Sequence, residues 1–220
     1  MAPLIICPEC GKKIVEDKKK IIIEKHKLLI VEGVEDQKFF DALLAQIDID
    51  DIQVLGVGGK TQIKANLGVL KDDPRFVQRV NSIGIVRDAD DNARNAFKSI
   101  QNALKSAGLP CPRKPMDTAN GPPKVNVMIL PGGEQKGTLE DLCLRSAVDD
   151  QAIFCVEAYF DCLDARGVSR PARDLIKAKT NVFLSSRADP TLRLGEAARK
   201  GYWPFNSPIF DNVKSFLRSL

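Results

Sequence analysis

Unbroken apolar runs alternate along this chain with apolar positions at helical spacing. LLIVEG (28–33) reads as a buried strand that stops at Glu32. GVEDQKFFDALLAQ follows, and it places Phe39, Phe40, Leu43, Leu44 and Ile47 on one side of a helix. IQVLGVGG (52–59) is a second strand ending in glycines, and KTQIKANLGVL (60–70) a second helix. SIGIVRD (82–88) is the third strand. DNARNAFKSIQNALKSAG (91–108) is a helix, amphipathic through Ala93, Phe97, Ile100, Leu104 and Ala107, with Gly108 as its C-cap. KVNVMILP (124–131) is the fourth strand. The proline-rich stretch before it, PRKPMDTANGPPK, reads as a flexible loop, either an active-site flap or a disordered segment.

Strands and helices that alternate with short links predict an α/β domain, a Rossmann-like, mainly parallel four-stranded sheet flanked by helices. Right-handed crossovers then bring all four strand C-termini to one edge. Glu32 ends the first strand, Gly58 and Gly59 the second, Asp88 and Asp90 the third. Gly132, Gly133, Gly137, Glu140 and Asp141 follow the fourth. Open α/β sheets bind ligands at this edge. The third strand poses a physical problem, because IGIVRDADDN sets Asp88, Asp90 and Asp91 within four residues. Carboxylates that close raise one another's pKa unless water, a basic side chain or a metal neutralises them. Hard oxygen donors of this kind select Mg²⁺ or Mn²⁺. On the helix opened by GVED, Asp36 lies one turn past Glu32, so both can face one cavity.

The order of these pieces resembles the TOPRIM domain shared by topoisomerases, bacterial primases, small ribonucleases and the overcoming-lysogenization-defect (OLD) nucleases. IVEG (30–33) and VRDAD (86–90) carry the resemblance, with Glu32, Asp88 and Asp90 on the core motif, over roughly residues 27–145. The Glu32-x-x-x-Asp36 pair and GTLEDL (137–142) resemble the OLD-type branch. The whole chain, GYWPFNSPIF tail included, is similar to a small standalone TOPRIM-related bacterial family. The resemblance implies a metal-dependent nuclease or related phosphoryl-transfer enzyme acting on DNA or RNA, with a role in defence against phage or mobile DNA. It implies Mg²⁺ or Mn²⁺ on Glu32, Asp36, Asp88, Asp90, Glu140 and Asp141, and Glu32 as general acid or base. OLD nucleases carry an ATPase domain ahead of this unit, so energy-driven gating here would need a partner ATPase. The alternative from another class is a non-catalytic TOPRIM-fold module that binds nucleotide or nucleic acid or docks on such a partner.

Charge adds a surface. The net charge is +4, yet nine basic residues stand against three acids between Arg166 and Lys200. Such a segment beside an acidic edge suits a polyanion, and the plain alternative is a solvated helical face. Lys177 and Lys179 are its candidates for a cation at the transition state. GVGGK (56–60) lacks Walker spacing, and reads as a phosphate nest of Gly58, Gly59 and Lys60 or as a tight turn.

Hydrophobic content of 44% and charged content of 28% are those of a soluble globular chain. No apolar run reaches the ~18 residues of a span, and the start lacks a basic n-region. The expectation is a cytoplasmic protein without membrane contact. Six cysteines are too few and too uneven for a disulfide scaffold. Cys7 and Cys10, in CPECGKK, form half of a zinc knuckle, to be completed across a homodimer, by His26 or by a distant cysteine, or else a metal-free turn. The organisation expected is a CxxC segment (1–26), a TOPRIM-like catalytic domain (27–147) and a helical basic extension (148–220). Tyr202, Trp203 and Phe205 are expected to pack that extension onto the domain.

Overall fold

The computed structural model describes residues 5–6, 13–14, 22–169, 171 and 174–220. Cys7 and Cys10 lie outside them, as do Arg170 and Arg173 of the basic segment. In chain order the elements are β1 (Ile5–Ile6), β2 (Lys13–Ile14), β3 (Lys27–Val31), α1 (Val34–Gln46), β4 (Ile52–Gly56), α2 (Ile63–Lys71), α3 (Pro74–Arg79) and β5 (Ser82–Asp88). They continue with α4 (Ala93–Ser106), β6 (Thr118–Ala119), β7 (Lys124–Leu130), α5 (Leu139–Ser146), α6 (Gln151–Ala165), α7 (Leu175–Ser185), α8 (Leu194–Arg199) and α9 (Asp211–Arg218). β1 and β2 pair with each other as an antiparallel ribbon.

The remaining strands form one sheet in the order β4-β3-β5-β7-β6. β4, β3, β5 and β7 are mutually parallel, which is the predicted α/β architecture. The chain steps from β3 outward to β4, then returns to the other side of β3 to lay down β5. The crevice between the C-terminal ends of β3 and β5 is therefore the topological switch point, where such sheets bind ligands. Glu32 and Asp88 flank it.

Alternation along the strands builds two cores. Leu28, Ile30, Ile83, Ile85, Val125 and Val127 face α2, α3 and α4. Leu29, Val31, Val86, Met128 and Leu130 face α1 and the C-terminal helices. The sheet is thus buried on both sides, which accounts for the unbroken apolar runs of its strands.

The structure departs from the sequence reading in three places. Residues 112–124 supply a fifth, antiparallel strand, β6, paired to the first half of β7. Asn126, buried in β7, donates to Thr118 Oγ1 at 2.9 Å. This segment sits at the N-terminal end of the sheet, so it is no active-site flap. Second, α3 fills the link between α2 and β5, started by Asp73, whose carboxylate accepts from the Arg75 N–H ahead of Pro74. Third, the boundary at 147 falls inside a shared core. Phe183, Trp203, Phe210, Phe216 and Leu220 pack in the same cluster as Leu29 and Phe39. Trp203 stacks on Phe183 and donates Nε1–H to the Leu194 carbonyl, so the aromatic tail packs as expected.

Two glycines permit that packing. A Cβ on Gly84 would stand 2.7 Å from Leu220 Cδ1, so Leu220 closes directly on β5. A Cβ on Gly195 would stand 2.4 Å from the Glu35 carbonyl oxygen and 2.6 Å from Lys38 Cβ. There α8 lies backbone to backbone on α1, and the Gly195 N–H donates to Glu35 Oε2 at 3.0 Å. Lys38 bridges Glu35 and Glu196 at 2.9 Å each across the same seam. Gly195→Ala is expected to destabilise the fold by about 1–3 kcal/mol, the usual effect of overpacking a rigid contact. Urea denaturation of the two proteins measures it, and an unchanged midpoint would refute the close approach.

Candidate active site

Backbone hydrogen bonds place the acidic residues before any side-chain interaction does. The Gly59 N–H donates to the Glu32 carbonyl at 2.7 Å, tying the turn after β4 to the end of β3. Gly33 caps α1, and its N–H donates to Asp36 Oδ2 at 2.6 Å. Asp88 closes β5, and its Oδ1 accepts from the Leu139 N–H at 3.0 Å, at the start of α5. Asp90 has φ +50° and exchanges both backbone hydrogen bonds with Gly137. Ala89 between them is buried in the opposite core, which leaves Asp88 and Asp90 on the ligand edge.

Glu32, Asp36, Asp88 and Glu140 line one cleft of about 880 Å³. They come from a strand end, a helix first turn, a second strand end and a second helix first turn. Helix N-termini carry partial positive charge, which is why two helices can open with carboxylates here. Lys177, Thr180 and Asn181 from α7, with Arg193 just ahead of α8, line the same cleft.

The charges are costly where they sit. Burial pushes the Asp88 carboxyl well above its ordinary value, and Asp36, Glu32, Glu140 and Asp90 push it further. Burial also raises Asp36, with Glu140 adding, while the Gly33 N–H and Lys177 act against it. Glu32 is raised by burial first, and Arg87 pulls it part of the way back. The Arg87 Nε lies 3.6 Å from Glu32 Oε1, and both atoms are buried without a hydrogen bond. Below the cluster, burial pushes the Cys143 thiol up, and Glu140, Asp36 and Asp88 reinforce it, so it remains a neutral packing group. Cys111, Cys155 and Cys162 are likewise free thiols.

Several residues singled out from sequence have other partners. Asp141 accepts from the Thr138 N–H at 2.7 Å and caps α5, and it does not line the cleft. Lys179 pairs with Glu157 on α6 instead of turning inward. Lys60 Nζ binds Asp90 Oδ2 at 2.7 Å, and the Gly59 N–H is already held by Glu32, so GVGGK forms a tight turn rather than an open phosphate nest. His26 is exposed and holds the Arg79 carbonyl through Nδ1 at 2.8 Å. The basic segment is also largely neutralised. Arg187 pairs with Asp150, Arg199 with Asp41 and Lys200 with Asp189. Of its described members, Lys177 and Arg193 line the cleft.

The sequence reading missed Arg87 and Arg193. Arg87 was recoverable, because the parallel register Ile30↔Ile85 sets it beside Glu32 two residues on. Oxygen donors around one cleft, with an orphaned Glu32 oxygen among them, fit a hard divalent cation in kind. They are not preassembled: among the described residues, no three His, Cys, Asp or Glu side chains stand ready to hold a metal ion. No helix among those residues is long and apolar enough to cross a membrane.

Residues 26–220 match the model of a family described as a protein of unknown function (DUF3226). Among solved structures, the chain is similar to the C-terminal region of the Burkholderia pseudomallei OLD protein, at 12% identity and a TM-score of 0.49. That match covers 90% of this chain and 98% of the other. The C-terminal region of the Xanthomonas campestris pv. campestris OLD protein matches at 14% identity and a TM-score of 0.43, over 90% of this chain and 100% of the other. No curated protein matches.

Proposed function

This chain belongs to the DUF3226 family, and for it we propose a TOPRIM-type, metal-dependent phosphodiesterase that acts on nucleic acid. One observation carries the reading. Glu32, Asp36, Asp88 and Glu140 meet in one cleft at the switch point, where burial raises Glu32, Asp36 and Asp88. A fold that gathers more carboxylates at its ligand edge than its neighbouring cations match stores a demand for positive charge. Those four residues and Asp90 would hold Mg²⁺ or Mn²⁺. Such a cation supplies Lewis-acid polarisation of a phosphoryl oxygen.

The chain's own residues supply the rest. Glu32, with its raised pKa and an unbonded Oε1, is suited to take or give a proton at a departing oxygen. Lys177 and Arg193 line the cleft with the acids and would orient a phosphodiester there. Lys60 and Arg87 act as internal counter-ions until the site is loaded. A homodimer completing zinc at Cys7 and Cys10, and a partner ATPase, belong to the same proposal.

The Lys60–Asp90 and Arg87–Glu32 pairs also favour a second reading, a non-catalytic TOPRIM-fold module that binds nucleotide or nucleic acid. One assay separates the two. The purified protein is incubated with single- and double-stranded DNA, RNA and tRNA in Mg²⁺, Mn²⁺ or EDTA. Cleavage with metal and none with EDTA is the expected result. Binding without cleavage under every metal condition would leave the module.

A further inference from the structure

We propose that the groove between α2 and α4 is a track that leads the sugar–phosphate backbone of one nucleic-acid strand into the acidic cleft. The proposal deepens the phosphodiesterase reading and rests on it for the direction of the strand. The groove encloses about 480 Å³ and is lined by Lys60, Lys64, Lys98, Asn95, Ser99 and Asn102 among others, with no acidic residue among them. Cations stand on both walls: Lys60 and Lys64 on the α2 side, Lys98 on α4. Asn95, Lys98, Ser99 and Asn102 follow i, i+3, i+4, i+7 spacing, so they share one face of α4. That face is exposed and borders the buried positions Ile100 and Ala103, which form the groove's apolar floor.

A merely solvated face mixes both signs of charge. Here Lys64 and Lys98 make no ion pair among the described residues, whereas the cations of the C-terminal segment are mostly matched to acids. Lysines and side-chain amides and hydroxyls are the groups that hold phosphate oxygens without reading sequence. The groove also ends beside the cleft. Lys60 lines the groove and pairs with Asp90 at 2.7 Å, while its chain neighbour Gly59 lines the cleft. A strand with an anion at every nucleotide can occupy the groove and run on into the acidic centre. An acidic peptide would meet the same lysines but has no reason to continue there.

The test reverses two exposed charges outside the acidic centre, Lys64→Glu with Lys98→Glu, and compares a neutral pair, Lys64→Gln with Lys98→Gln. Fluorescence anisotropy follows binding of a single-stranded oligo-dT and an oligo-rU, in EDTA and in Ca²⁺, across a salt series. Mn²⁺-dependent hydrolysis of bis(p-nitrophenyl) phosphate, too small to need a track, is measured alongside. Wild type is expected to bind, and the reversed pair to lose at least about tenfold in affinity. The salt slope of the neutral pair should flatten by about 1.4, from two lost contacts at ~0.7 each for a single strand. Hydrolysis of the small diester should be unchanged. Equal affinity and slope in all three proteins would overturn the track, as would wild type that binds polyglutamate but no oligonucleotide. Lysine-dependent binding with no hydrolysis of the small diester, nor of the bound oligonucleotides in Mn²⁺, would keep the track and remove the catalytic reading instead.

Discussion

Glu32→Gln is expected to lower metal-dependent phosphodiester cleavage by about 10³-fold or more, within the range of losing a general acid–base or a metal ligand. The substitution keeps the size of the side chain and removes its charge and its titration. Two opposing effects bear on stability. The buried Arg87 loses its counter-ion, while Asp36, Asp88 and Asp90 lose a repelling neighbour. The net change in folding free energy should stay within about 1 kcal/mol, because each removes part of what the other adds. Unaltered circular dichroism with lost turnover is therefore the expected pair of results. Activity within about tenfold of wild type would remove Glu32 from the chemistry.

Asp88→Asn is expected to act in opposite directions on the metal-free and the metal-loaded protein. Asp88, Asp36 and Glu32 hold their protons more tightly in the fold than in the unfolded chain. Protonation thus favours the fold. That contribution is complete below the ordinary carboxylate range and is lost as pH rises through the raised values. In EDTA, wild type should melt higher at about pH 5.5 than at about pH 7.5, because acids held low by a partner, such as Asp150 beside Arg187, stay ionised in both states across this window. Asn at position 88 removes the most strongly repelled charge and can still accept from the Leu139 N–H. At neutral pH without metal the variant should therefore gain about 1 kcal/mol, a rise of ~2–4 °C for a chain of this size. With saturating Mn²⁺ the order should reverse, since metal would stabilise wild type through RT ln(1 + [L]/Kd) and leave the variant unchanged. Thermal melts in EDTA and in Mn²⁺ check both halves. A variant less stable than wild type in EDTA would show that Asp88 is held for structure.

The sequence was most informative where one physical cause acts alone. The parallel strands β3, β5 and β7 are buried on both faces, so their apolar runs are nearly continuous, Asn126 aside, and their ends sharp. Four acids were legible because parallel topology sends every strand end to one edge, whatever the tertiary detail. Pairing was harder. Lys177 and Lys179 lie two positions apart on α7, so a helix cannot turn both into one cleft; which one enters depends on Glu157 of α6, far away in sequence. Asp141 was readable as a cap, since Thr138-Leu139-Glu140-Asp141 has the spacing of a capping box. Asp73-Pro74 likewise announces α3. The aromatic tail announced that residues 148–220 pack on the domain, but how fully their helices share its core was not readable, because an amphipathic helix reveals its apolar face and not what covers it. Gly84 and Gly195 record that contact only once Leu220 and α1 are seen against them.

Calorimetric titration of Mn²⁺ into metal-free wild type and Asp88→Asn tests the central claim most directly. Saturable, stoichiometric binding to wild type that is lost in the variant is the expected result. No binding to wild type, or equal binding to both, would contradict a divalent-cation centre built on Asp88.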